Sequence, residues 1–162
     1  MNLIKLNLGC GDIVFPDYIN IDLYSEKADI KADIRKLSFS DDYADEIIAY
    51  HVIEHFDFHE AFEVLKEWKR VLKPGGRLML ETPDFLKSCK AFISADEQNK
   101  IGLYSHFFSE PWKNSGFVHK FLYTENQLRW TLEQIGFKNI AIGVPIRYTG
   151  RGDVHLRMEC IK

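Results

Sequence analysis

The chain has 162 residues, of which 46% are hydrophobic and 28% charged, and its formal net charge is −3. A chain of this length can fold as one domain, and it has no run of about 20 apolar residues that would predict a membrane span. The basic residues are scattered, whereas proteins that bind large nucleic acids concentrate them on one face, so we exclude a large nucleic acid as partner. Three cysteines without metal-type spacing, and an amino-terminal segment without signal-peptide features, predict a cytoplasmic protein.

Apolar runs rich in β-forming residues alternate with segments of helical period, which is typical of an α/β fold with a mostly parallel sheet. Strands are predicted at residues 4–8, 18–23, a short segment ending at Asp33, 44–50, 77–81 after a turn at 73–76, 138–144 and 155–161. The last two strands are expected to form an antiparallel pair at a sheet edge.

Two helices have clear signals. Apolar residues recur at three- and four-residue spacing over residues 59–72, which predicts an amphipathic helix. Thr124 opens a capping box and Gly136 provides a stop, so the last helix is predicted between them.

Residues 84–121 are less regular and rich in aromatic side chains. A segment of this length between a strand and a helix is usually a lid or a substrate loop. We expect one or two short helices in it, one of them capped by Ser94 in the capping box Ser94-Ala-Asp-Glu97. We therefore predict a lid or substrate segment here.

A predicted strand ends in two glycines one residue apart, within residues 6–11 (LNLGCG). Gly9 and Gly11 let the backbone approach a ligand closely, and Asp22 at the end of the next strand can accept hydrogen bonds from both hydroxyls of a ribose. Open α/β sheets bind ligands at this edge. The residues predict a nucleoside site, with a tight turn and a solvated aspartate as the alternative.

The spacing between Gly11 and Asp22 separates two classes of nucleoside ligand. A dinucleotide site needs a third glycine, a helix N-terminus for the pyrophosphate and an acidic residue about 20 positions further on. Here Ile13 and Val14 follow the glycines, and only ten residues separate Gly11 from Asp22. This gap is too short for a full helix and its turns, which favours a nucleoside ligand without a pyrophosphate.

The chain resembles class I S-adenosylmethionine-dependent methyltransferases, in particular their compact, type-11-like group, over nearly its whole length. The resemblance rests on residues 8–11 (LGCG), 20–23 (NIDL), 32–35 (ADIR), 44–48 (ADEII), 51–55 (HVIEH) and 70–76 (RVLKPGG). It implies a doubly wound, Rossmann-like single methyltransferase domain over residues 1–162, with S-adenosylmethionine as cofactor. It also implies strand order 3-2-1-4-5-7-6, an antiparallel seventh strand and reduced N-terminal helices.

The resemblance also implies the cofactor contacts. The methionine moiety would lie on the glycine loop, the ribose at the end of the second strand, and the adenine after the third. The backbone that follows the fourth strand would lie near the cofactor. The implied cofactor-binding set is Gly9, Cys10, Gly11, Asp22, Leu23, Asp33, Ile34 and His51.

Departures from the family pattern concern the closure of the cofactor site. Asn7 stands where the family often has an acidic residue, Ile13 replaces a third glycine, and the first crossover helix is reduced or absent. The site could be closed by another subunit, by a second copy of this chain or by the aromatic segment at residues 84–121. Compact relatives with this spacing are found beside polysaccharide and glycosyl-transfer functions, which suggests a saccharide acceptor.

Four residues stand where related metal-dependent O-methyltransferases place Glu, Glu, His and His: His51, Glu54, His55 and His119. The first carboxylate is replaced by His51, so we expect no metal and no requirement for Mg²⁺. We instead predict His55 and His119 on one wall of the acceptor pocket, with either His55 or His119 as the catalytic base. Glu54 would orient or charge one of them.

The other histidines carry no predicted chemistry. His59 and His155 are expected at the surface, and His106 is expected in the lid or the core.

These patterns together predict an S-adenosylmethionine-dependent methyltransferase that acts on oxygen or nitrogen of a small molecule or saccharide. A cofactor-binding but inactive partner subunit is the alternative from a different class, and an NAD-linked oxidoreductase is the less favoured enzyme.

Overall fold

The computed structural model describes residues 3–109, 118–146 and 154–162. Seven strands form one sheet in the order β3-β2-β1-β4-β5-β7-β6. β1 to β5 pair in parallel, and β7 is antiparallel to both β5 and β6. The predicted α/β class and strand order are thereby confirmed. The strands are β1 Lys5–Leu8, β2 Ile19–Asp22, β3 Ile30–Lys31, β4 Ala44–Tyr50, β5 Leu72–Pro83, β6 Lys138–Gly143 and β7 His155–Ile161.

Four α-helices and one 3₁₀ turn connect the strands. The 3₁₀ turn, Ile53–His55, follows β4 directly. The helices are α1 Phe58–Val71, α2 Phe85–Ser94, α3 Glu97–Phe108 and α4 Glu125–Ile135.

One face of the sheet is packed against α1 and α4. α1 begins at its cap Asp57, whose side chain accepts a hydrogen bond from the Glu60 amide, and it buries one apolar stripe that includes Trp68. α4 has the predicted capping box at Thr124 and ends at Gly136, which is left-handed with φ 88°. Side chains of both helices and of the inward positions of β1, β4, β5 and β7 form the main hydrophobic core.

The opposite face of the sheet has no helix among the described segments at 9–18 and 23–29, where the first two crossovers run. The loop between β1 and β2 covers part of this face instead. Its Phe15 and Tyr18 pack against the small cluster of Ile48, Tyr50 and Met79. The predicted loss of the first crossover helix is confirmed.

Long polar side chains cover more of this face of the sheet. Arg77 donates to Glu46 at 2.6 Å, and the Tyr18 hydroxyl donates to the same carboxylate. The Arg157 guanidinium lies 5.8 Å from the Tyr50 ring centroid. Its alkyl and planar surfaces can therefore cover apolar atoms where a helix would otherwise pack.

Three sequence predictions about local structure were wrong. The turn expected at 73–76 before the fifth strand lies inside β5, with a shift in register against β4 between Ala44 and Glu46. Gly75 has a left-handed φ of 78° there, so the glycine predicted in a turn instead allows an irregularity within the strand. The short helix is capped by Asp96 rather than by Ser94, because the Asp96 side chain accepts from the Asn99 amide. The third strand also ends two residues early, at Lys31.

The segment predicted as a lid contains two helices, α2 and α3, which confirms that expectation within the described residues. The pair packs through its own aromatic rings: Phe92 contacts Tyr104 and Phe107 at centroid distances of 5.3 and 5.8 Å. Trp112, Gly116 and Phe117 of the same segment lie outside the described residues. Neither these helices nor any other in the described part of the chain has the length and hydropathy of a membrane span.

Candidate functional site

The glycine loop that follows β1 is held close to the neighbouring backbone. Gly9 and Gly11 have φ of 66° and 52°, a left-handed region that glycine adopts without strain. A Cβ on Gly9 would lie 2.6 Å from Val52 Cγ2, whereas a Cβ on Gly11 would meet nothing within 4 Å. Gly9 is therefore required by packing, and Gly11 borders open space at the carboxyl end of β1.

Asp22, at the end of β2, fixes this loop. Its Oδ2 accepts a hydrogen bond from the Gly11 amide at 2.9 Å, and its Oδ1 accepts from the amides of Tyr24 and Ser25 at 2.8 and 2.9 Å. Leu23 beside it is 42% exposed. The structure thus brings Asp22, which is predicted to accept hydrogen bonds from the ribose, against the glycine loop that is predicted to bind the methionine moiety.

Cys10 and the residues after β3 complete the predicted cofactor set. Cys10 is buried between the two glycines. The Asp33 carboxylate pairs with Arg35 at 2.6 Å, and this hydrogen bond holds the pKa of Asp33 below its usual range. Ile34 packs against the main core. Adenine contact by Asp33 and Ile34 stays a prediction.

His51 follows β4 in a backbone conformation rare for a residue with a side chain, with φ 58°. The turn places its ring between two fully buried carboxylates. His51 Nδ1 lies 3.1 Å from Glu54 Oε1, and Nε2 lies 3.6 Å from Glu81 Oε1. Burial lowers the pKa of His51, but the hydrogen bonds to Glu54 and Glu81 outweigh it and raise the pKa above its ordinary value.

Glu54, on the 3₁₀ turn, is fully buried and hydrogen-bonded through both oxygens. Its Oε1 accepts from His51, and its Oε2 accepts from the Thr82 hydroxyl at 3.0 Å. Burial raises the pKa of Glu54, but the His51 hydrogen bond and the nearby imidazoles lower it well below its usual range. The carboxylate is thus ionised and serves as a fixed negative charge.

His55 and His119 lie together beside Glu54, with ring centroids 5.2 Å apart. His55 Nδ1 is 3.1 Å from the Val118 carbonyl, and His119 Nδ1 is 3.0 Å from the His106 carbonyl. Burial lowers the pKa of His119, and the Glu54 charge opposes this effect. The structure therefore brings together the two residues that the sequence predicts as bases.

His155 was predicted at the surface and is instead buried, with 4% of its surface exposed. The antiparallel register pairs His155 with Pro83, which sets it beside the carboxyl end of β5. Its ring lies 4.9 Å from that of His51 and 5.5 Å from that of His106. Burial, with His51 and His106 nearby, lowers the pKa of His155 to about 4.

Five of the six histidines therefore form one cluster at the carboxyl ends of β4 and β5. No local sequence pattern predicts the burial of His155, because its position depends on the register of two strands that are distant in the chain. His59 is exposed, as predicted. We call His51, His55, His106, His119 and His155 the histidine cluster.

Comparison with known proteins agrees with this geometry. The family model described as a methyltransferase domain matches residues 5–142. None of the curated proteins compared with the chain matches it.

Solved structures share the fold at low identity. An S-adenosylmethionine-dependent methyltransferase from Archaeoglobus fulgidus is 16% identical, with a TM-score of 0.67 over 99% of this chain and 86% of that one. The 1,6-didemethyltoxoflavin-N1-methyltransferase from Burkholderia thailandensis, solved with bound 1,6-didemethyltoxoflavin and S-adenosylhomocysteine, is 13% identical, with a TM-score of 0.66 over 99% of this chain and 71% of that one. A possible exported protein from Bordetella parapertussis is 16% identical, with a TM-score of 0.68, and this chain covers 62% of its length.

Glycine substitutions test whether the open space beside Gly11 holds the cofactor. We expect Gly11→Ala to weaken S-adenosylhomocysteine binding at least tenfold by calorimetry, because the added methyl group enters that space. The left-handed φ costs about 1–2 kcal/mol of stability. Gly75→Ala is the matched control, since its φ is 78° and its Cβ would also meet nothing within 4 Å. It should lose similar stability and keep full affinity. If the two variants bind S-adenosylhomocysteine equally well, Gly11 does not border the cofactor.

Proposed function

The chain belongs to the methyltransferase-domain family whose model it matches, and we propose that it methylates oxygen or nitrogen of a small molecule or saccharide. Its cofactor is S-adenosylmethionine. The observation that carries the proposed site is the pairing of His55 and His119 at the carboxyl end of β4, beside the ionised Glu54.

Methyl transfer is a direct displacement at the methyl carbon. A lone pair of the acceptor forms the new bond, the bond from sulfur to the methyl carbon breaks, and its electron pair stays on sulfur in S-adenosylhomocysteine. The acceptor loses one proton. The protein contributes mainly by aligning the acceptor with the methyl group and by receiving that proton.

The hydrogen bonds of His55 and His119 suit them to receive the proton. Backbone carbonyls can only accept hydrogen bonds, so the two Nδ1 atoms carry hydrogen and the two Nε2 atoms carry a lone pair. The Glu54 charge stabilises the imidazolium that forms. We therefore assign the catalytic roles to His55 and His119. Glu54 would orient one of them or favour its protonated form through its negative charge.

The cofactor contacts follow the same proposal. Gly9, Cys10 and Gly11 would line the methionine moiety, and Asp22 with Leu23 would hold the ribose. The Asp22 carboxylate already orders the glycine loop, which supports this role.

A saccharide acceptor has indirect support. α3 carries His106 of the histidine cluster, and the helix pair α2 and α3, called the helical hairpin, has several aromatic rings. Sugars and aromatic compounds both stack on the faces of such rings. The scattered basic residues and net charge of −3 argue against a large nucleic acid. The three cysteines are all free, which supports a reducing compartment such as the cytoplasm.

We also propose that residues 84–121 act as the substrate lid of a single domain. Only Ser88 and His106 of α2 and α3 are buried, so the hairpin has few contacts with the core. Elements with little buried surface open locally at low cost in free energy.

An inactive, cofactor-binding partner subunit is the second candidate. The described loop at 9–18 contains no helix, and Leu23 and Tyr24 beside Asp22 are 42% and 70% exposed, which leaves surface for another subunit or a second copy. Release of S-adenosylhomocysteine in an acceptor screen would exclude an inactive role. An NAD-linked oxidoreductase loses support, because no helix follows Gly11 to bind a pyrophosphate.

Asp22→Ala tests the cofactor assignment. We expect S-adenosylhomocysteine to bind at least tenfold more weakly by calorimetry, because a hydrogen bond to a charged group is worth about 1.5–3 kcal/mol. Asp12→Ala removes a neighbouring carboxylate that is 86% exposed and should leave affinity unchanged. An unchanged affinity of the Asp22 variant, or binding of NAD without any sulfonium ligand, would contradict the assignment.

His55→Ala and His119→Ala test the catalytic assignment. Each should lower turnover by a factor on the order of 10² in S-adenosylhomocysteine release, with cofactor affinity nearly unchanged. His59→Ala changes an exposed histidine and should keep full turnover. If both cluster variants instead melt at lower temperature and bind cofactor weakly, the histidines serve the fold.

Hydrogen exchange tests the lid. Amide exchange in α2 and α3 should slow when S-adenosylhomocysteine and an acceptor bind, because closure buries the hairpin. α1, which already buries Trp68, should change little and serves as the internal reference. Equal protection of the hairpin in the free protein would show that it is a fixed part of the fold.

A further inference from the structure

Three side chains of the site present hydrogen-bond acceptors to one point. Glu54, His55 and His119 each offer one atom with a lone pair, and these three atoms lie within 4.8 Å of one another. The two imidazoles are partly buried, whereas the carboxylate is fully buried. A small molecule that enters the site therefore meets the two rings first and has the carboxylate at the deep end.

The hydrogen bonds of the two rings decide which nitrogen carries hydrogen. His55 Nδ1 donates to the Val118 carbonyl and His119 Nδ1 donates to the His106 carbonyl, at 3.1 and 3.0 Å. A neutral imidazole has a single N–H, so Nε2 is an acceptor in both rings. The rings therefore recognise a group that donates hydrogen bonds.

Glu54 can accept a further hydrogen bond although two side chains already donate to it. His51 donates to its Oε1 and the Thr82 hydroxyl donates to its Oε2. The two oxygens of a carboxylate have about four lone-pair positions in total, so capacity for another donor is left. Because Glu54 is ionised, this third acceptor also brings a negative charge to the point of convergence.

We propose that the acceptor of methyl transfer is a primary amine, and that Glu54, His55 and His119 bind its ammonium group. The inference rests on the proposed function and narrows it to nitrogen. A primary ammonium has three N–H donors, one for each of the three acceptors, whereas a hydroxyl has one. Charge-assisted bonds of about 2.8 Å in tetrahedral directions place three acceptors roughly 4.6 Å apart. The spacing within 4.8 Å allows all three bonds at once.

Contact of the ammonium with Glu54 requires the two rings to part, because this carboxylate is sealed from water in the free protein. The backbone around the rings is held in place meanwhile. The amides of Lys120 and Phe121 donate to the Glu54 carbonyl at 2.8 and 3.2 Å, which ties the segment that carries His119 to the 3₁₀ turn that carries His55. Binding should therefore change the environment of the two rings without unfolding the site.

The same contacts prepare the amine for methyl transfer. One imidazole Nε2 takes a proton from the ammonium, which leaves a neutral amine with a lone pair and an imidazolium beside Glu54. The lone pair forms the bond to the methyl carbon, the bond from sulfur to that carbon breaks, and its electron pair stays on sulfur. The product is a secondary ammonium, and the imidazolium then releases its proton to water.

Binding of an ammonium group is measured first, without turnover. Histidine ring signals are followed by NMR at neutral pH during titration with methylammonium, with a chelator present so that no metal ion takes part. We expect the signals of His55 and His119 to shift progressively. Tetramethylammonium has the same charge but no N–H donor, and it should leave both signals unchanged. His59 is exposed and serves as the internal reference.

Glu54→Gln tests the charge at the point of convergence. We expect at least tenfold weaker binding of methylammonium, because a hydrogen bond to a charged group provides at least that affinity. His59→Ala should bind as the unchanged protein does, and retained binding of S-adenosylhomocysteine verifies that each variant is folded. Equal shifts with both cations, or no shift with methylammonium in the unchanged protein, would overturn the ammonium site even if Glu54→Gln does not fold.

Turnover is then compared within pairs of compounds that differ only in an amine or a hydroxyl: benzylamine with benzyl alcohol, and glucosamine with glucose. We expect at least tenfold faster S-adenosylhomocysteine release with the amine of a pair. Equal or faster release with the alcohols would contradict an amine acceptor and leave the methyltransferase standing. Release with none of these compounds would count against the proposed function, whereas the ammonium site is decided by the NMR titration alone.

Discussion

A buried carboxylate needs compensation, and Glu54 shows how the site is built around this constraint. An ionised group without contact to water is costly unless hydrogen bonds and opposite charges surround it. His51 and Thr82 donate to its two oxygens, and the rings of His55 and His119 lie within its field. The positions of the catalytic candidates thus follow from the need to stabilise one negative charge.

The apolar side chains on the two faces of the sheet are covered in different ways. One face packs α1 and α4 in the usual way, with Trp68 fully buried. The other face relies on the loop at 9–18 and on long side chains such as Arg157, which cover apolar atoms. The short crossover at 9–18 therefore covers this part of the sheet without a helix.

Much of the fold was predictable because its signals are local. The capping box at Thr124, the stop at Gly136 and the β-forming run of β4 each depend on a few adjacent residues. Contacts set by register were not predictable: the burial of His155 follows from its pairing with Pro83, 72 residues away in the chain. The convergence of His55 and His119 was predicted from the resemblance, whereas the role of His51 behind Glu54 needed coordinates.

The position of β7 has a consequence for how the protein is made. β7 follows β6 in the chain but lies between β5 and β6 in the sheet. During synthesis, β6 has no hydrogen-bonding neighbour in this sheet until residues 155–161 leave the ribosome. Pairings between segments distant in sequence form slowly and leave strand edges exposed meanwhile. Until then β5 lacks its partner on one side and β6 lacks any partner in this sheet, so both strands are available to chaperones or to misassembly until β7 inserts.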